Sequence, residues 1–381
     1  MSDQTQGAPT ASSSPPRVGF VLEQTLGHIT HADNLARLVP PDPRVRAEFA
    51  LVDFDLDPRW SRFPGHGNWT VRAGLRARRA VRALQRDERL DALFVHTQVA
   101  ATLMPDILGR VPSVVSLDAT PIQYDQLGDH YGHSTSSERV EGAKWRLHRS
   151  CFARADRLVT WSQWTKDGLV DAYEVDPDKV VVIAPGVDYD RWAAEGRSRD
   201  EADDAAPMRI LFVGGDLTRK GGRTLIDSVR RLRADAAEVE LDLVTQEQLP
   251  SEDGIAVHNG LGPNSPALIE LYRRAHIFCL PTLGDCLPMV LSEAGATGLP
   301  LVSTDVGAIR EIVRPENTGL LVPPGDEPAL TAALDRLIKD PALRRSLGAN
   351  AQHLVREDFD AAKNASRLVD VLVEVADNRG R

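Results

Sequence analysis

The sequence predicts an α/β protein built from two doubly wound domains that face each other across a central cleft. Short apolar runs alternate with amphipathic helical segments along the chain, a pattern typical of parallel sheets covered by helices. The length of 381 residues suits two domains of ordinary size. Polar or glycine-rich loops follow apolar runs in both halves, at the strand ends where such folds bind ligands.

Composition restricts the classes of function. Hydrophobic residues make up 42% and charged residues 26% of the chain, as in globular proteins with a sizeable core. The net charge of −10 argues against general nucleic-acid binding, which needs a basic surface. Cys151, Cys279 and Cys286 form neither a metal-ligand pattern nor a disulfide framework, so we expect a reducing, cytoplasmic setting. No apolar run approaches the roughly 18 residues of a membrane span.

Composition and periodicity divide the chain into five parts. Residues 1–16 are rich in Ser, Thr, Gln, Ala and Pro, and we expect a disordered tail rather than a signal peptide. Residues 17–193 and 208–359 each carry the strands and helices of one domain, and residues 194–207 are a charged, alanine-rich linker. Residues 360–381 contain a long amphipathic helix.

In the first domain, apolar runs predict parallel strands at 17–22, 47–52, 92–96 and 113–117. Gly27 and His28 follow the first of these strands and precede a helix. His96 and Asp118 come at the ends of the third and fourth strands, so their side chains face the same crevice. A turn glycine with an incidental histidine is the alternative interpretation of Gly27 and His28.

Two loops of the second domain combine glycines with charged residues at predicted strand ends. The strand 209–213 leads into a glycine-rich turn bearing Arg219 and Lys220 and then a helix, where amides, helix dipole and cations suit a phosphate. The strand 277–280 leads into a loop with Asp285 and a short helix with Glu293. Carboxylates flanking backbone amides suit a ligand with both hydroxyls and phosphates. Ordinary turns with solvated charges are the alternative.

These residues resemble the sites of the retaining glycosyltransferases of family 4, which have the two-domain GT-B fold. Asp285 and Glu293 match the family's Glu-x7-Glu motif, whose first acid binds the donor sugar and whose second binds the nucleotide ribose. Lys220 and the glycine after it match the family's phosphate loop. His258-Asn259-Gly260-Leu261 resembles the loop that holds the base. The resemblance is dense from residue 155 onward and covers the first 150 residues in outline.

The resemblance implies a nucleotide-diphosphate sugar as co-substrate, with no further cofactor and no metal. It places Asp118, Arg219, Lys220 and Asp285 in the transfer chemistry, where the two cations stabilise charge on the leaving diphosphate. It implies donor binding by Gly27, Gly214, Gly215, Lys220, Asn259, Gly260, Leu261, Cys286, Leu287, Pro288, Met289, Val290 and Glu293. In this fold the C-terminal helix crosses back to the first domain. A carbohydrate, a lipid-linked molecule and a small molecule all stay open as acceptors.

Three residues depart from the family pattern. Asp285 replaces a glutamate, Gly215 stands where an arginine is usual, and Asp118 stands where the family has a histidine. Arg219 offers a cation from a different position, so only Asp118 changes the chemical type. A retaining glycosyltransferase is the leading hypothesis, and a catalytically silent nucleotide-sugar-binding protein or subunit is the alternative. A sugar phosphorylase would need a lysine for pyridoxal phosphate, and the sequence shows no motif for one.

A helix predicted over residues 71–90 carries a basic stripe. Its arginines fall within a sector of about 120° and are Arg72, Arg76, Arg79, Arg82 and Arg86. On an acidic protein the stripe indicates an anionic partner, either a membrane surface or a phosphorylated acceptor, or else a solvated face paired with local acids. The membrane interpretation predicts peripheral contact at the inner membrane face.

Asp53 and Asp55 follow the second strand and spell the Asp-x-Asp motif with which a different glycosyltransferase fold holds a metal. Acids at a strand exit are usually solvated. We therefore expect no metal site there.

Overall fold

The structure is a computed structural model that describes residues 14–25, 27–53, 55, 68–127, 137–193, 207–250 and 252–378. Two six-stranded sheets, both parallel, organise these residues. The predicted α/β fold with two doubly wound units is therefore confirmed. Most of the predicted N-terminal tail and of the 194–207 linker lies outside the described residues.

The first sheet contains β1 (Arg17–Glu23), β2 (Arg46–Val52), β3 (Ala92–His96), β4 (Ser113–Leu117), β5 (Arg157–Thr160) and β6 (Val180–Val182). The helices of this part of the chain are α1 (His28–Leu38), α2 (Trp69–Leu84), α3 (Gln98–Ala101), α4 (Pro105–Leu108), α5 (Pro121–Gln126), α6 (Glu138–Arg154), α7 (Gln163–Tyr173) and α8 (Tyr189–Trp192). Of these, α8 packs on the second domain, where Trp192 belongs to the buried core. The strand order is β2-β1-β3-β4-β5-β6. The chain reverses direction across the sheet between β1 and β3, which is where such sheets open a ligand crevice.

The second sheet contains β7 (Met208–Val213), β8 (Val239–Val244), β9 (Ile255–His258), β10 (Ile277–Leu280), β11 (Leu301–Thr304) and β12 (Gly319–Val322). The helices that follow the linker are α9 (Gly222–Ala234), α10 (Pro266–Arg274), α11 (Met289–Ala296), α12 (Glu327–Lys339), α13 (Pro341–Asp358) and α14 (Ala361–Asn378). The order β12-β11-β10-β7-β8-β9 reverses between β7 and β10. The two charged loops of the sequence therefore leave neighbouring strands at the crevice.

Helix α14 packs on the first sheet rather than on the second. Leu368 and Leu372 of α14 belong to the same buried cluster as Phe20 and Phe94 of the first sheet. The approach to α14 is close, because a Cβ on Gly186 would lie 2.2 Å from the backbone nitrogen of Ala361. The last helix therefore ties the two sheets into one molecule.

Helix α2 ends at Leu84, so the expected helix over 71–90 is too long at its C-terminal end. The buried guanidinium of Arg17 donates to the backbone oxygen of Leu84 at 2.7 Å and to that of Glu88 at 2.5 Å. The bond to Leu84 satisfies a carbonyl that a longer helix would use internally. Leu90 then packs against Gly19 of β1, where a Cβ would clash at 2.7 Å. Arg86 therefore lies outside α2.

Candidate active site

The loops after β7 and β10 pack directly against each other. Gly221 has a φ of +74°, and a Cβ there would lie 1.8 Å from the backbone oxygen of Pro281. Leu283 donates its backbone N–H to the Arg219 carbonyl at 2.8 Å, and Thr282 Oγ1 donates to the same oxygen at 3.1 Å. The glycine-rich turn and the acidic loop are therefore one structural unit.

Within this unit the structure brings together Arg219, Lys220 and Asp285. Lys220 Nζ lies 2.5 Å from Asp285 Oδ2, and Arg219 Nη1 lies 3.7 Å from Asp285 Oδ1. Arg219 Nη1 also donates to the Gly284 carbonyl at 2.9 Å. The Asp285 side chain is only 10% exposed. Two cations thus converge on one nearly buried carboxylate, which is a strongly polar site for an ionic ligand.

The turn after β11 packs against the backbone of the acidic loop that carries Asp285. Gly307 has a φ of +54°, and a Cβ there would lie 2.2 Å from the Asp285 carbonyl oxygen. Ala308 donates its N–H to the Cys286 carbonyl at 2.8 Å. The loop then enters α11 at Pro288 with no side-chain cap on the first helical amides. The remaining loop residues of the expected site are buried or half-buried there: Leu287, Met289 and Val290.

Glu293 lies inside the second domain, against α10. Its side chain is nearly buried, and Tyr272 donates its hydroxyl to Glu293 Oε2 at 2.9 Å. Burial raises the pKa of Glu293 to about 7, although the hydrogen bond from Tyr272 opposes this shift. No local sequence pattern indicates the tyrosine partner, because it comes from a different helix.

The loop expected to hold the base is braced from within. Asn259 Nδ2 donates to the carbonyls of Thr245 at 2.8 Å and Glu247 at 3.0 Å. Gly260 has a φ of +73° with open space around its Cβ position, and Leu261 packs on the core of the second domain. The amide donors of Asn259 therefore shape the loop. Gly214 and Gly215 lie below it at the end of β7, and a Cβ on Gly214 would meet the ring of Phe212 at 2.8 Å.

Asp118 ends β4 on the opposite side of the cleft and is fixed on both oxygens. Its Oδ1 accepts the Ala119 N–H at 2.9 Å, and its Oδ2 accepts the Tyr124 hydroxyl at 2.6 Å. Thr165 donates its hydroxyl to the Asp118 backbone oxygen at 2.5 Å. His28 Nε2 lies 3.8 Å from Asp118 Oδ2. Gly27 precedes His28 at the start of α1, with nothing within 4 Å of its Cβ position.

A cluster of aromatic rings lies behind Asp118 in the first domain. His28 Nδ1 is 2.8 Å from His96 Nε2, and the His96 ring stacks on Trp161 with 5.2 Å between ring centroids. Burial lowers the pKa of His31 to about 3 and the pKa of His96 well below its usual value, with nearby histidines adding to both shifts. Both rings are therefore neutral. His31 was not singled out from the sequence; its spacing of about one helical turn from His28 is the signal that could have indicated it.

The two sides of the cleft meet at Cys286. Burial raises the pKa of this thiol first, and the carboxylates of Asp118 and Asp285 raise it further. Tyr124 of the first domain hydrogen-bonds the thiol, which opposes that shift. Asp118 and Asp285 therefore act on one buried group from two domains. The structure places these two expected site residues on facing walls of the same cleft.

The described parts of the chain contain no group of three or more His, Cys, Asp or Glu side chains that could hold a metal ion. Arg76 of α2 donates to the backbone oxygens of Asp53 at 2.7 Å and Asp55 at 2.8 Å, and it also pairs with the Asp53 carboxylate. Arg76 of the basic stripe thus binds the Asp-x-Asp segment. For Arg76 this agrees with the interpretation of the stripe as a face paired with local acids.

Two family profiles match the chain, one in each domain. Residues 36–191 match the profile described as Glycosyltransferase Family 4, and residues 207–340 match Glycosyl transferases group 1. The chain belongs to glycosyltransferase family 4. The gap between the two matches falls between the two sheets, so each profile covers one side of the cleft.

Curated relatives of this family 4 chain are about one-third identical to it over part of its length. An MMP alpha-(1->4)-mannosyltransferase from Mycolicibacterium hassiacum is 32% identical over 225 residues, which is 56% of this chain and 53% of the relative. A D-inositol 3-phosphate glycosyltransferase from Salinispora tropica is 31% identical over 260 residues, which is 60% of this chain and 53% of the relative. The matches thus span about half the length of these relatives.

Solved structures share the fold over nearly the whole chain. HepE from Anabaena, solved with UDP, has a TM-score of 0.69 at 16% identity and covers 94% of this chain and 100% of that protein. Sucrose-phosphate synthase from Thermosynechococcus elongatus has a TM-score of 0.68 at 17% identity, covering 93% and 98%. The chain therefore has the GT-B fold.

Proposed function

We propose that the protein transfers a sugar from a nucleotide-diphosphate sugar to a hydroxyl-bearing acceptor, with retention of configuration at the anomeric carbon. The convergence of Lys220 and Arg219 on Asp285 carries the proposal. These groups lie where the order of the second sheet reverses, which is the usual place for a phosphate-bearing ligand. Family membership supports the reaction class.

In this proposal the diphosphate binds between the two charged loops. Lys220, Arg219 and the first amides of α11 stabilise the negative charge that develops on the leaving diphosphate. The bond from the anomeric carbon to the diphosphate oxygen breaks, and the acceptor oxygen bonds to the same face of the sugar. The acceptor proton passes to the departing diphosphate, so charge and atoms balance. The Asp285 carboxylate leaves Lys220 and accepts hydrogen bonds from the sugar hydroxyls.

The nucleoside lies deeper in the second domain. We assign the ribose hydroxyls to Glu293 and the base to the loop 259–261, which Asn259 holds in shape. A carboxyl group with a pKa of about 7 can both accept and donate hydrogen bonds to a diol near neutral pH. We assign contact with the phosphates to the backbone of Gly214 and Gly215, at the end of β7.

Arg219 bears on the alternative of a catalytically silent protein. Gly215 lacks the arginine side chain that is usual in the family, yet the guanidinium of Arg219 lies 3.7 Å from Asp285. A second cation therefore lies beside Asp285, which supports the assignment of the leaving diphosphate to this loop. The contacts around Asp285 support transfer rather than binding alone.

We leave the acceptor as a hydroxyl-bearing carbohydrate, lipid-linked molecule or small molecule, and we propose a cytoplasmic protein. No helix of the described residues is both long and apolar enough to cross a membrane. Peripheral contact would therefore involve a surface such as α2. Trp69 and Leu75 of α2 are 43% and 46% exposed. These apolar side chains beside a basic stripe support contact with an anionic membrane face.

A panel of nucleotide sugars tests the proposal. Thermal unfolding with UDP-, GDP- and ADP-sugars should show a rise in midpoint for the cognate donor, because a ligand of the folded state stabilises it by mass action. Release of nucleoside diphosphate on adding acceptors then measures transfer, and we expect it to survive EDTA. Absence of binding to every nucleotide sugar at millimolar concentration would overturn the proposed function.

A further inference from the structure

His28 is a histidine of the cleft to which the transfer chemistry above gives no role. It opens helix α1 at the carboxyl end of β1, and its side chain is about nine-tenths buried. The two ring nitrogens have different surroundings. Nδ1 lies 2.8 Å from His96 Nε2, whereas Nε2 lies 3.8 Å from Asp118 Oδ2, beyond hydrogen-bond distance. Within the described residues Nε2 makes no shorter polar contact.

The buried His96 fixes which nitrogen of His28 carries the proton. His96 is fully buried and neutral, so it has one N–H, and its Nδ1 has no hydrogen-bond partner in the described structure. A buried N–H without a partner is rarer and costlier than a buried acceptor without one. His96 therefore keeps its proton on Nε2 and donates it to His28 Nδ1. Neutral His28 consequently carries its own proton on Nε2, the nitrogen that faces Asp118.

Asp118 is oriented to complete a pair with this donor. The Ala119 N–H and the Tyr124 hydroxyl each use one of its oxygens and hold the carboxylate in place. Each carboxylate oxygen can still accept a further hydrogen bond. A hydroxyl oxygen about 2.8 Å from both His28 Nε2 and Asp118 Oδ2 would accept from the first and donate to the second. A spacing of 3.8 Å between these atoms permits such a triangle.

We propose that His28 and Asp118 together bind one hydroxyl of the donor sugar, with His28 as hydrogen-bond donor and Asp118 as acceptor. The inference rests on the proposed function and adds a residue that contacts the donor sugar. The position of His28 and Asp118 favours the donor sugar, rather than the acceptor, as the molecule they bind. Tyr124 links Asp118 to Cys286, and Cys286 is next to Asp285 in the loop assigned to the diphosphate. The sugar is the group attached directly to that diphosphate.

Calorimetry separates the sugar contact from the nucleotide contact. The probes are UDP with UDP-glucose and GDP with GDP-mannose, and the pair that the wild type binds is carried forward. His28→Ala should leave nucleoside diphosphate affinity unchanged and should lower nucleotide-sugar affinity roughly five- to tenfold, the effect of a lost hydrogen bond. His28→Gln keeps an N–H donor and should recover part of the loss.

His31→Gln is the matched control. His31 lies one turn further on α1, is buried in the same cluster and lines a small internal cavity with Leu35 and Phe94. It should leave both affinities unchanged. Equal losses for diphosphate and nucleotide sugar in His28→Ala, or the same losses in His31→Gln, would overturn the inference in favour of a packing role.

Two other outcomes have distinct meanings. Unchanged nucleotide-sugar affinity with slower transfer in His28→Ala would assign the hydroxyl to the acceptor and overturn the donor assignment. A wild type that binds none of the four probes, nor any other nucleotide sugar of the panel, would remove the proposed function itself, and this inference with it.

Discussion

Lys220 concentrates positive charge at the meeting point of the two charged loops. We expect Lys220→Ala to lower kcat about ten- to a thousandfold, because it removes a cation that stabilises the leaving diphosphate in the proposed function. Steady-state kinetics with the cognate nucleotide sugar measure this effect. Arg223→Ala is the matched control, since Arg223 is an exposed cation of α9 that pairs with Glu247. A Lys220→Ala enzyme with the kcat of the wild type would contradict the role of Lys220.

Glu293 links the site to the pH dependence of stability. Burial raises its pKa from 4.5 to about 7, so between these values the folded chain holds a proton that the unfolded chain has released. Its contribution to stability is therefore present below about pH 4.5 and is lost as pH rises through about 7. The difference corresponds to on the order of 3 kcal/mol. Glu293→Gln, which cannot ionise, should flatten this part of the stability profile.

Urea unfolding at about pH 5 and about pH 8 measures the change for Glu293→Gln, and the variant should gain stability relative to the wild type at the higher pH. Glu316→Gln serves as the control. A hydrogen bond from Arg336 lowers the pKa of the exposed Glu316. Glu316→Gln should therefore not change how stability depends on pH between about pH 5 and about pH 8. Parallel pH profiles for Glu293→Gln and wild type would show that Glu293 is not buried in its neutral form.

The site residues that the sequence indicated are those whose chemistry is local. Arg219, Lys220 and Asp285 stand in loops between a strand and a helix, and that pattern alone places them at a sheet edge. The partners of Glu293 and His28 were not predictable in this way. Tyr272 and His96 come from other elements, and their ring positions depend on how helices and strands pack in three dimensions.

At the scale of elements, strands were predicted better than helix ends. The runs 92–96 and 277–280 have the same bounds in the structure, because strands buried on both faces are continuously apolar. Helix α2 ends early because Arg17, far away in the sequence, donates a hydrogen bond to the carbonyl of its last residue, Leu84. A local pattern of helix-forming residues contains no trace of that contact.

Helix α6 was not predicted from the sequence at all. It spans Glu138–Arg154, yet only His148, Cys151 and Phe152 are buried. The remaining residues are mostly charged or polar, so the apolar stripe is too narrow to stand out by periodicity. Packing of these few side chains on the first domain, rather than a strong pattern, holds the helix in place.

The exposed face of α2 gives a prediction at this scale. Arg79 and Arg82 are exposed beside Trp69 and Leu75, and Arg79→Gln with Arg82→Gln should reduce binding to anionic vesicles at low salt. Sedimentation with phosphatidylglycerol vesicles measures it. Arg314→Gln with Arg336→Gln removes the same charge from the second domain and should have little effect. A wild type that ignores such vesicles would contradict membrane contact by α2.

At the scale of the whole molecule, Glu311 connects the two domains at the cleft. Its carboxylate accepts the backbone N–H groups of Gln163 and Trp164 at 2.9 Å each. These are the first amides of α7 in the first domain, where a negative charge also meets the positive end of the helix dipole. The turn that carries Glu311 begins at Ala308, which binds Cys286 of the acidic loop. The acidic loop is therefore coupled to the opposite domain.

We expect Glu311→Ala to loosen the contact between the two domains, because it removes two hydrogen bonds and a favourable charge at the α7 terminus. The loss is about 1–2 kcal/mol, similar to that of a helix cap. Hydrogen exchange at Gln163 and Trp164 should rise, and small-angle scattering should show a larger radius of gyration. Glu311→Gln keeps one acceptor oxygen and should be intermediate in both measurements. Glu316→Ala is the control, because it removes an acid that pairs with Arg336 inside the second domain. If hydrogen exchange and radius of gyration in Glu311→Ala equal those of the wild type, then α14 and its close contact with Gly186 hold the domains together without Glu311.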